Sequence, residues 1–494
     1  MWLIVTLFVA MLCLWSYLDA RKPKKFPPGP RWYPIIGCAM EMEKIHQETG
    51  SFTKTTSELS RRYGPLVGTK IGVTRIVFVY GVKEINELFT REEFVGRPDG
   101  IFYRTRTGGK RTGILFNDSK SWQEQKKFVL KQLKAFGPGT VGMRDILEEE
   151  VAVVVDNIKK RIELGGGRCI LRMDNFFGVH ILNILWGVIT GKKYNAEGKE
   201  IKELERVFVD MFAQFNMTGP LFSNFPILRY LCPNFSGYND FFMVHKRLHM
   251  FIMKEIQRAK EVQNLATSRG IIDGYLMVLQ SPGKSDTYSE DELAAVCLDL
   301  FSAGAETSSK ALSHAFLYLL LHPHVQERAQ EEIDVVVGRE RNPDLNDKPR
   351  LKYVESVMLE SLRIYIGRSH IVPHRALKDT TFNGYFIPKD TTLIANTESI
   401  LSNEKAGWIN PEIFNPDRFL KDDALEIPDY FVPFGLSKRR CTGESVARQV
   451  LFLIIAGLLQ KFKFEAVPDD PPSTEYVDGF TEGVKPFKAI ISLR

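Results

Sequence analysis

The chain has 494 residues, 44% of them hydrophobic, and its 66 Lys+Arg against 60 Asp+Glu leave a formal net charge of only +6. That balance is too even to imply a nucleic-acid partner, and the apolar content is too high for a disordered chain. Beyond the first few dozen positions no linker, repeat or charge block divides the sequence, so one large core is expected.

Residues 1–20 read as a single-pass membrane anchor. Trp2 to Leu18 is a run of seventeen residues without a charge. As a helix it spans about 26 Å, close to the ~27 Å core of an endoplasmic-reticulum bilayer. The cations follow it, in Arg21-Lys22-Pro23-Lys24-Lys25, and no small-x-small cleavage site is clear, which argues against a removed signal peptide. Positive-inside bias then puts the rest of the chain on the cytosolic side. Residues 21–45 form a basic, proline-rich hinge, because Phe26-Pro27-Pro28-Gly29-Pro30 cannot be helical. Residues 46–494 remain for the main domain.

A turn at Tyr63-Gly64-Pro65 leads into Leu66–Tyr80, whose β-branched residues predict a short sheet. Helical periodicity then dominates to about residue 360, with breaks at Gly108-Gly109, Gly165-Gly166-Gly167, Pro282-Gly283 and His322-Pro323. The longest helix is expected from about Glu290 to Leu321. Near its centre lies Ala303-Gly304-Ala305-Glu306-Thr307, where residues 303 and 307 share a face and Gly304 permits the helix to open locally. The fold class is therefore mainly α with small β-sheets (α+β).

Six cysteines, at 13, 38, 169, 232, 297 and 441, show no zinc-like spacing, and cytosolic placement argues against disulfides. Cys441 stands apart. Lys438, Arg439 and Arg440 precede it and the apolar run Val446 to Leu459, which predicts a helix, follows it; both favour a thiolate suited to binding a metal. An inert buried cysteine is the competing reading.

The wider pattern decides between them. Pro433–Gly443, reading PFGLSKRRCTG, resembles the haem-ligand loop of the cytochrome P-450 monooxygenases, and further landmarks occur in that family's order. Ala303-Gly304-Ala305-Glu306-Thr307-Ser308 is similar to its oxygen-activating segment, Glu360-Ser361-Leu362-Arg363 to its Glu-x-x-Arg pair, Phe414-Asn415-Pro416-Asp417-Arg418-Phe419 to the loop that follows, and Trp122 to its haem-facing tryptophan. The resemblance covers nearly the whole chain.

It implies a cytochrome P-450 fold in which residues 46–494 are the catalytic domain, holding haem b with Cys441 as axial thiolate. A thiolate ligand suits oxygen activation with O2 as co-substrate. Thr307 and Glu306 would be catalytic, moving protons on the distal side; the competing possibility is that Thr307 bonds its own helix carbonyl and Glu306 is a paired charge. Arg97, Trp122, Lys126, His374 and Arg439 correspond to the haem-propionate set. Lys126 departs from the usual Arg, and Ser437 from a Gly where φ > 0 is expected. Glu360, Arg363 and Arg418 look like the family's buried structural triad.

No dinucleotide fingerprint or flavin domain is present, so electrons from NADPH are expected through a separate NADPH-cytochrome reductase, with cytochrome b5 as a further donor. Lys126, Lys127, Lys131, Lys134, Lys438, Arg440 and Arg448 could form a basic face for that partner. Candidate recognition segments are Gly100–Phe116, Met211–Tyr238, Leu298–Ala305, Ser369–Val372 and Gly479–Thr481, whose apolar character suits a lipophilic small molecule. GRPDGIFYRTR and PNFSGYNDF are most similar to the insect microsomal family numbered 303, of clan 2, whose relatives act on ecdysteroids and juvenile hormone. A steroid, sesquiterpenoid or fatty-acid-like substrate follows from that resemblance. The alternatives are a reductase-independent haem-thiolate isomerase or dehydratase, and a non-catalytic haem-binding protein.

Overall fold

The computed structural model describes residues 2–135, 141–192, 198–213, 219–262, 270–366, 370–479 and 481–494. Trp2–Ala20 is one apolar helix, compatible with a membrane anchor; none of its described residues is fully buried, and Asp19 at its end pairs with Lys70 at 2.5 Å. The proline-rich stretch after it is not helical. It packs onto the domain nonetheless: Phe26 and Trp32 are buried and meet edge to face at 5.4 Å, and the Gly68 amide donates to the Pro28 carbonyl at 2.7 Å. A helix, Ala39–Thr49, begins inside the expected hinge.

The domain is built around the helix Glu290–Leu321. Ser289 caps it by accepting from the Glu292 amide at 3.1 Å, and three acidic residues in its first turn oppose the helix dipole. Pro323 starts the next helix at its N-terminus, which ends this one. Helices Gly178–Thr190, Tyr238–Val262, Lys352–Ile366 and Glu444–Lys461 pack against it. The helix runs unbroken through Gly304, so the local opening that a glycine permits is not adopted in this structure. The missing side chain serves packing instead, because a Cβ there would lie 2.9 Å from Leu185 Cδ2 on the neighbouring helix.

Leu66–Ile71 and Thr74–Val79 form the antiparallel pair expected from the sequence, with Leu66 opposite Val79. Thr392–Ala395 extends it in parallel and His374–Arg375 closes it. This sheet carries its own apolar cluster beside the large helical core. A second sheet joins Arg168–Arg172 to Phe462–Ala466 and Lys488–Leu493, pairing Cys169 with Ile491. The sheets matter for function because an isolated bridge between Gly96 and Arg375 brings Arg97 beside the His374 edge.

Candidate functional site

Cys441 sits two residues before the N-cap of Glu444–Lys461, its amide donating to the Phe434 carbonyl at 2.9 Å. The side chain is accessible, yet the surrounding protein desolvates it, so it lines an internal recess rather than the outer surface. Burial pushes its thiol up; the Gly443 and Glu444 amides and the charge of Lys126 act the other way. The loop reaches this position through Gly435 at φ 70° and Ser437 at φ 59°. The departure at Ser437 thus keeps the left-handed backbone that glycine would adopt freely.

Four basic residues surround this loop. Arg97 is buried and gives Nη1 to the Val372 and Pro373 carbonyls, both at 2.9 Å. Arg439 donates to Val95 O at 2.8 Å and Asn117 O at 3.0 Å, and its guanidinium lies 3.5 Å from the Trp122 ring centre. His374 Nδ1 bonds the Phe94 carbonyl at 2.7 Å. Lys126 donates to the carbonyls of Lys438 and Arg440, at 2.7 and 3.0 Å. It therefore fastens the backbone on either side of Arg439, a role that a point charge fills as well as a guanidinium fork.

Burial weighs on all four, and neighbouring cations add to it for Arg439, Lys126 and His374. Arg439 is pushed down to about 8 by burial and Arg97, Lys126 to about 8 by burial and Arg439, and Arg97 to about 10 chiefly by burial. Burial and the two arginines hold the His374 imidazolium well below its usual range. A guanidinium keeps its proton under ordinary conditions, so these depressions express chiefly the cost of withdrawing charged groups from water. Arg97 Nε and Arg439 Nη1 are also buried without hydrogen-bond partners. Cationic donors of this kind beside a cysteine recess fit a prosthetic group with two carboxylates on one edge and a metal at its centre.

On the central helix, Ala303 and Thr307 are the two exposed residues between Glu292 and Leu320, one turn apart on the same face. The Thr307 hydroxyl donates to Ala303 O at 2.7 Å. Glu306 is paired: Lys310 Nζ lies 2.6 Å from Oε1 and Thr481 Oγ1 donates to Oε2 at 2.7 Å. Burial raises its carboxyl, with Lys310 and Thr481 opposing. Both local partners set against the catalytic reading in the sequence are therefore present in this geometry.

The triad assembles within the proximal core. Glu360 and Arg363 are fully buried with Nε to Oε2 at 2.7 Å, and Arg418 Nε reaches Oε1 at 3.0 Å. Recognition segments also converge. Phe102 lies 4.8 Å from Phe241 and 6.2 Å from Phe222, joining the first segment to the second, with Tyr103 against Phe116 at 4.9 Å. Residues 214–218, 369 and 480 of those segments lie outside the described residues. The basic face divides. Lys438 pairs with Glu92, and Arg440 and Arg448 with Glu444, whereas Lys127, Lys131 and Lys134 are exposed along one face of the helix Lys120–Ala135.

Two networks were not read from the sequence. Asp118 accepts from Arg111 at 3.0 Å, Arg375 at 2.7 Å and the Arg97 amide at 2.9 Å, backing the basic cluster with a carboxylate. Asp299, on the central helix, holds Arg106 at 2.7 Å and the amides of Ile114 and Leu115, fixing the first recognition segment. Lys310 was within reach of inspection, since Glu and Lys four apart on a helix pair routinely.

The family model described as Cytochrome P450 matches residues 27–491. The chain is 40% identical to the "Probable cytochrome P450 303a1" of Drosophila melanogaster and 34% identical to the "Farnesoate epoxidase" of Bombyx mori, with 99% of each chain covered in both cases. It is 31% identical to "Cytochrome P450 2C4" of Oryctolagus cuniculus over 95% of its length and 94% of the relative's. The chain belongs to the cytochrome P450 family. It is accordingly an oxidoreductase of the haem-thiolate monooxygenase class.

Proposed function

We propose that this protein is an endoplasmic-reticulum monooxygenase with its catalytic domain on the cytosolic side, inserting one oxygen atom from O2 into a lipophilic small molecule. The apolar Trp2–Ala20 helix supports the membrane placement. Electrons come from NADPH through a separate flavoprotein reductase, with cytochrome b5 as a second donor; the exposed row Lys127, Lys131 and Lys134 suits an acidic partner. A farnesoate epoxidase among the relatives favours a sesquiterpenoid over the steroid or fatty-acid-like alternatives.

Cys441 would hold the haem as thiolate, stabilised by the amides at the start of Glu444–Lys461 and by Lys126. Arg97, Arg439 and His374 would take its carboxylates, with Trp122 supporting Arg439 and Lys126 steadying the loop. Haem bound by a thiolate supplies the oxygen-activating chemistry of this class. Thr307 presents a hydroxyl to the distal space. Donating to Ala303 O leaves that oxygen free to accept, so the hydroxyl can pass a proton when it turns from the carbonyl. Glu306 holds the next charge behind it.

The observation carrying this reading is the gathering of Arg97, Lys126, His374 and Arg439 about the loop of an accessible cysteine, with Arg97 Nε and Arg439 Nη1 buried and unpartnered. Cys441→Ala is expected to abolish the thiolate-type spectrum of the reduced carbon monoxide complex. Survival of that spectrum would refute the assignment. A rearranging or non-catalytic haem protein is disfavoured by the intact segment Ala303–Thr307; product formation that needs no reductase would reinstate the former.

A further inference from the structure

The end of the apolar N-terminal helix is fastened to the domain through one residue. Asp19, in the last turn of Trp2–Ala20, lies 2.5 Å from Lys70 Nζ through Oδ1, and the same ammonium donates to the Asp19 carbonyl at 2.9 Å. The second carboxylate oxygen accepts from the Ile35 amide at 2.7 Å. The side chains of Lys70 and Asp19 are only 7% and 23% exposed, too covered for water to screen them as it screens an ordinary surface pair. Ile35 presents its amide from φ 67°, a left-handed conformation that a β-branched residue rarely adopts and that persists only where the surroundings enforce it.

Lys70 grips with its backbone as well. Its carbonyl accepts from the Cys38 amide at 2.7 Å, and a Cβ on Gly37 would lie 2.0 Å from that oxygen, so the turn bearing Ile35 is pressed against the strand Leu66–Ile71. That strand is one edge of the four-stranded sheet, and His374–Arg375 is the other. One sheet therefore runs from the helix end to the residues proposed to take the haem carboxylates. We propose that Asp19 and Lys70 form a latch that joins the apolar helix to this sheet as one body, fixing the angle between haem and bilayer where an unlatched chain would swivel on residues 21–25. The fixed angle rests on the membrane placement proposed above, whereas the latch itself does not.

The test uses the full-length holoprotein in phosphatidylcholine liposomes. Extraction with alkaline carbonate examines the membrane placement alone, and release of the wild type would refute it. The latch is read on a gel by tryptic cleavage after Arg21, Lys24 and Lys25, whichever way extraction falls, because cleavage follows the open population of the stem. Asp19→Asn and Lys70→Met are each expected to speed that cleavage about tenfold, as loss of one hydrogen bond between charged groups provides. In the liposomes each should also add a rotational component to the anisotropy decay of the haem carbon monoxide complex after flash photolysis. The double variant should go no further than either single one, since both remove the same contact. The carbon monoxide spectrum should stay in place throughout; Asp19→Asn carries the test alone if Lys70→Met loses it, because Asp19 lies outside the domain's core. Unchanged cleavage in Asp19→Asn, or additive effects in a folded double variant, overturns the latch, and an unchanged anisotropy decay despite faster cleavage overturns the fixed angle.

Discussion

Lys310 holds Glu306 from one helical turn away, Nζ to Oε1 at 2.6 Å, deep beside the distal face of the central helix. Burial alone would favour the protonated acid, and this contact favours the carboxylate. The pair thus sets the ionisation of the group standing directly behind Thr307.

Thr307→Ala should uncouple the enzyme. With reductase and a verified substrate, NADPH consumption persists while product per NADPH falls by roughly ten- to a hundredfold and hydrogen peroxide rises. Thr307→Ser keeps the hydroxyl and should retain more product. Unchanged yield and peroxide in Thr307→Ala would remove this residue from proton delivery. Lys310→Met takes away an influence that lowers the Glu306 pKa, so the pH at which coupling changes should move upward; a purely structural effect would lower yield evenly at every pH.

Ser437 occupies φ 59°, a conformation that costs a side-chain-bearing residue about 1–2 kcal/mol and glycine nothing, less glycine's own entropic cost of roughly 0.5–1 kcal/mol. Ser437→Gly should therefore stabilise the holoprotein by about 0.5 kcal/mol and leave its carbon monoxide spectrum in place. Denaturant titration measures this, and a clear loss of stability would show that the serine hydroxyl has a partner that matters.

Glu482 follows Thr481 and is buried with Oε1 unpartnered, its carboxyl pushed up to about 7 by burial. Because the folded pKa exceeds the unfolded one, the associated stability is present below about pH 4.5 and is lost as pH rises through 7. Glu482→Gln should thus leave stability near the wild-type value at pH 5 and raise it at pH 8, by up to about 3 kcal/mol. Melting curves at the two pH values decide; equal curves at pH 8 would mean that the carboxylate finds compensation.

Deletion of residues 1–20 should weaken membrane attachment and leave haem binding intact, because the helix meets the domain only at its end, where Asp19 pairs with Lys70 and accepts from the Ile35 amide, among the described residues. Some association should persist through exposed Ile227, Tyr230, Leu231 and Phe235. Fractionation with a carbon monoxide spectrum reads both properties. Haem lost on truncation alone would place the domain boundary further toward the N-terminus.

Much of this arrangement is written locally. The bounds of Glu290–Leu321 follow from a capping serine, an acidic first turn and His322-Pro323, and the Cys441 loop from its short motif. The pairing of Arg168–Arg172 with the final strand is not local: it joins segments more than three hundred residues apart, and the exposed, charged faces of the first strand give little periodicity. The same applies to Asp118, whose partner Arg375 is distant in sequence and is brought to it by the Gly96–Arg375 bridge and by the Arg97 carbonyl, which accepts from both Arg111 and Arg375. Lys126 shows the converse case, where a motif located the residue and the surrounding backbone decided what it holds.

The docking of Phe26 through Pro28 onto the strand Leu66–Ile71 shortens the slack between the apolar N-terminal helix and the domain. Only residues 21–25 remain between the anchor helix and Phe26, about 17 Å at full stretch, and Lys22 is itself tied to the Gly29 carbonyl at 2.6 Å. With Trp2–Ala20 in a bilayer, as proposed above, a domain on so short a stem would keep one flank toward the lipid and leave the opposite flank open to the aqueous side.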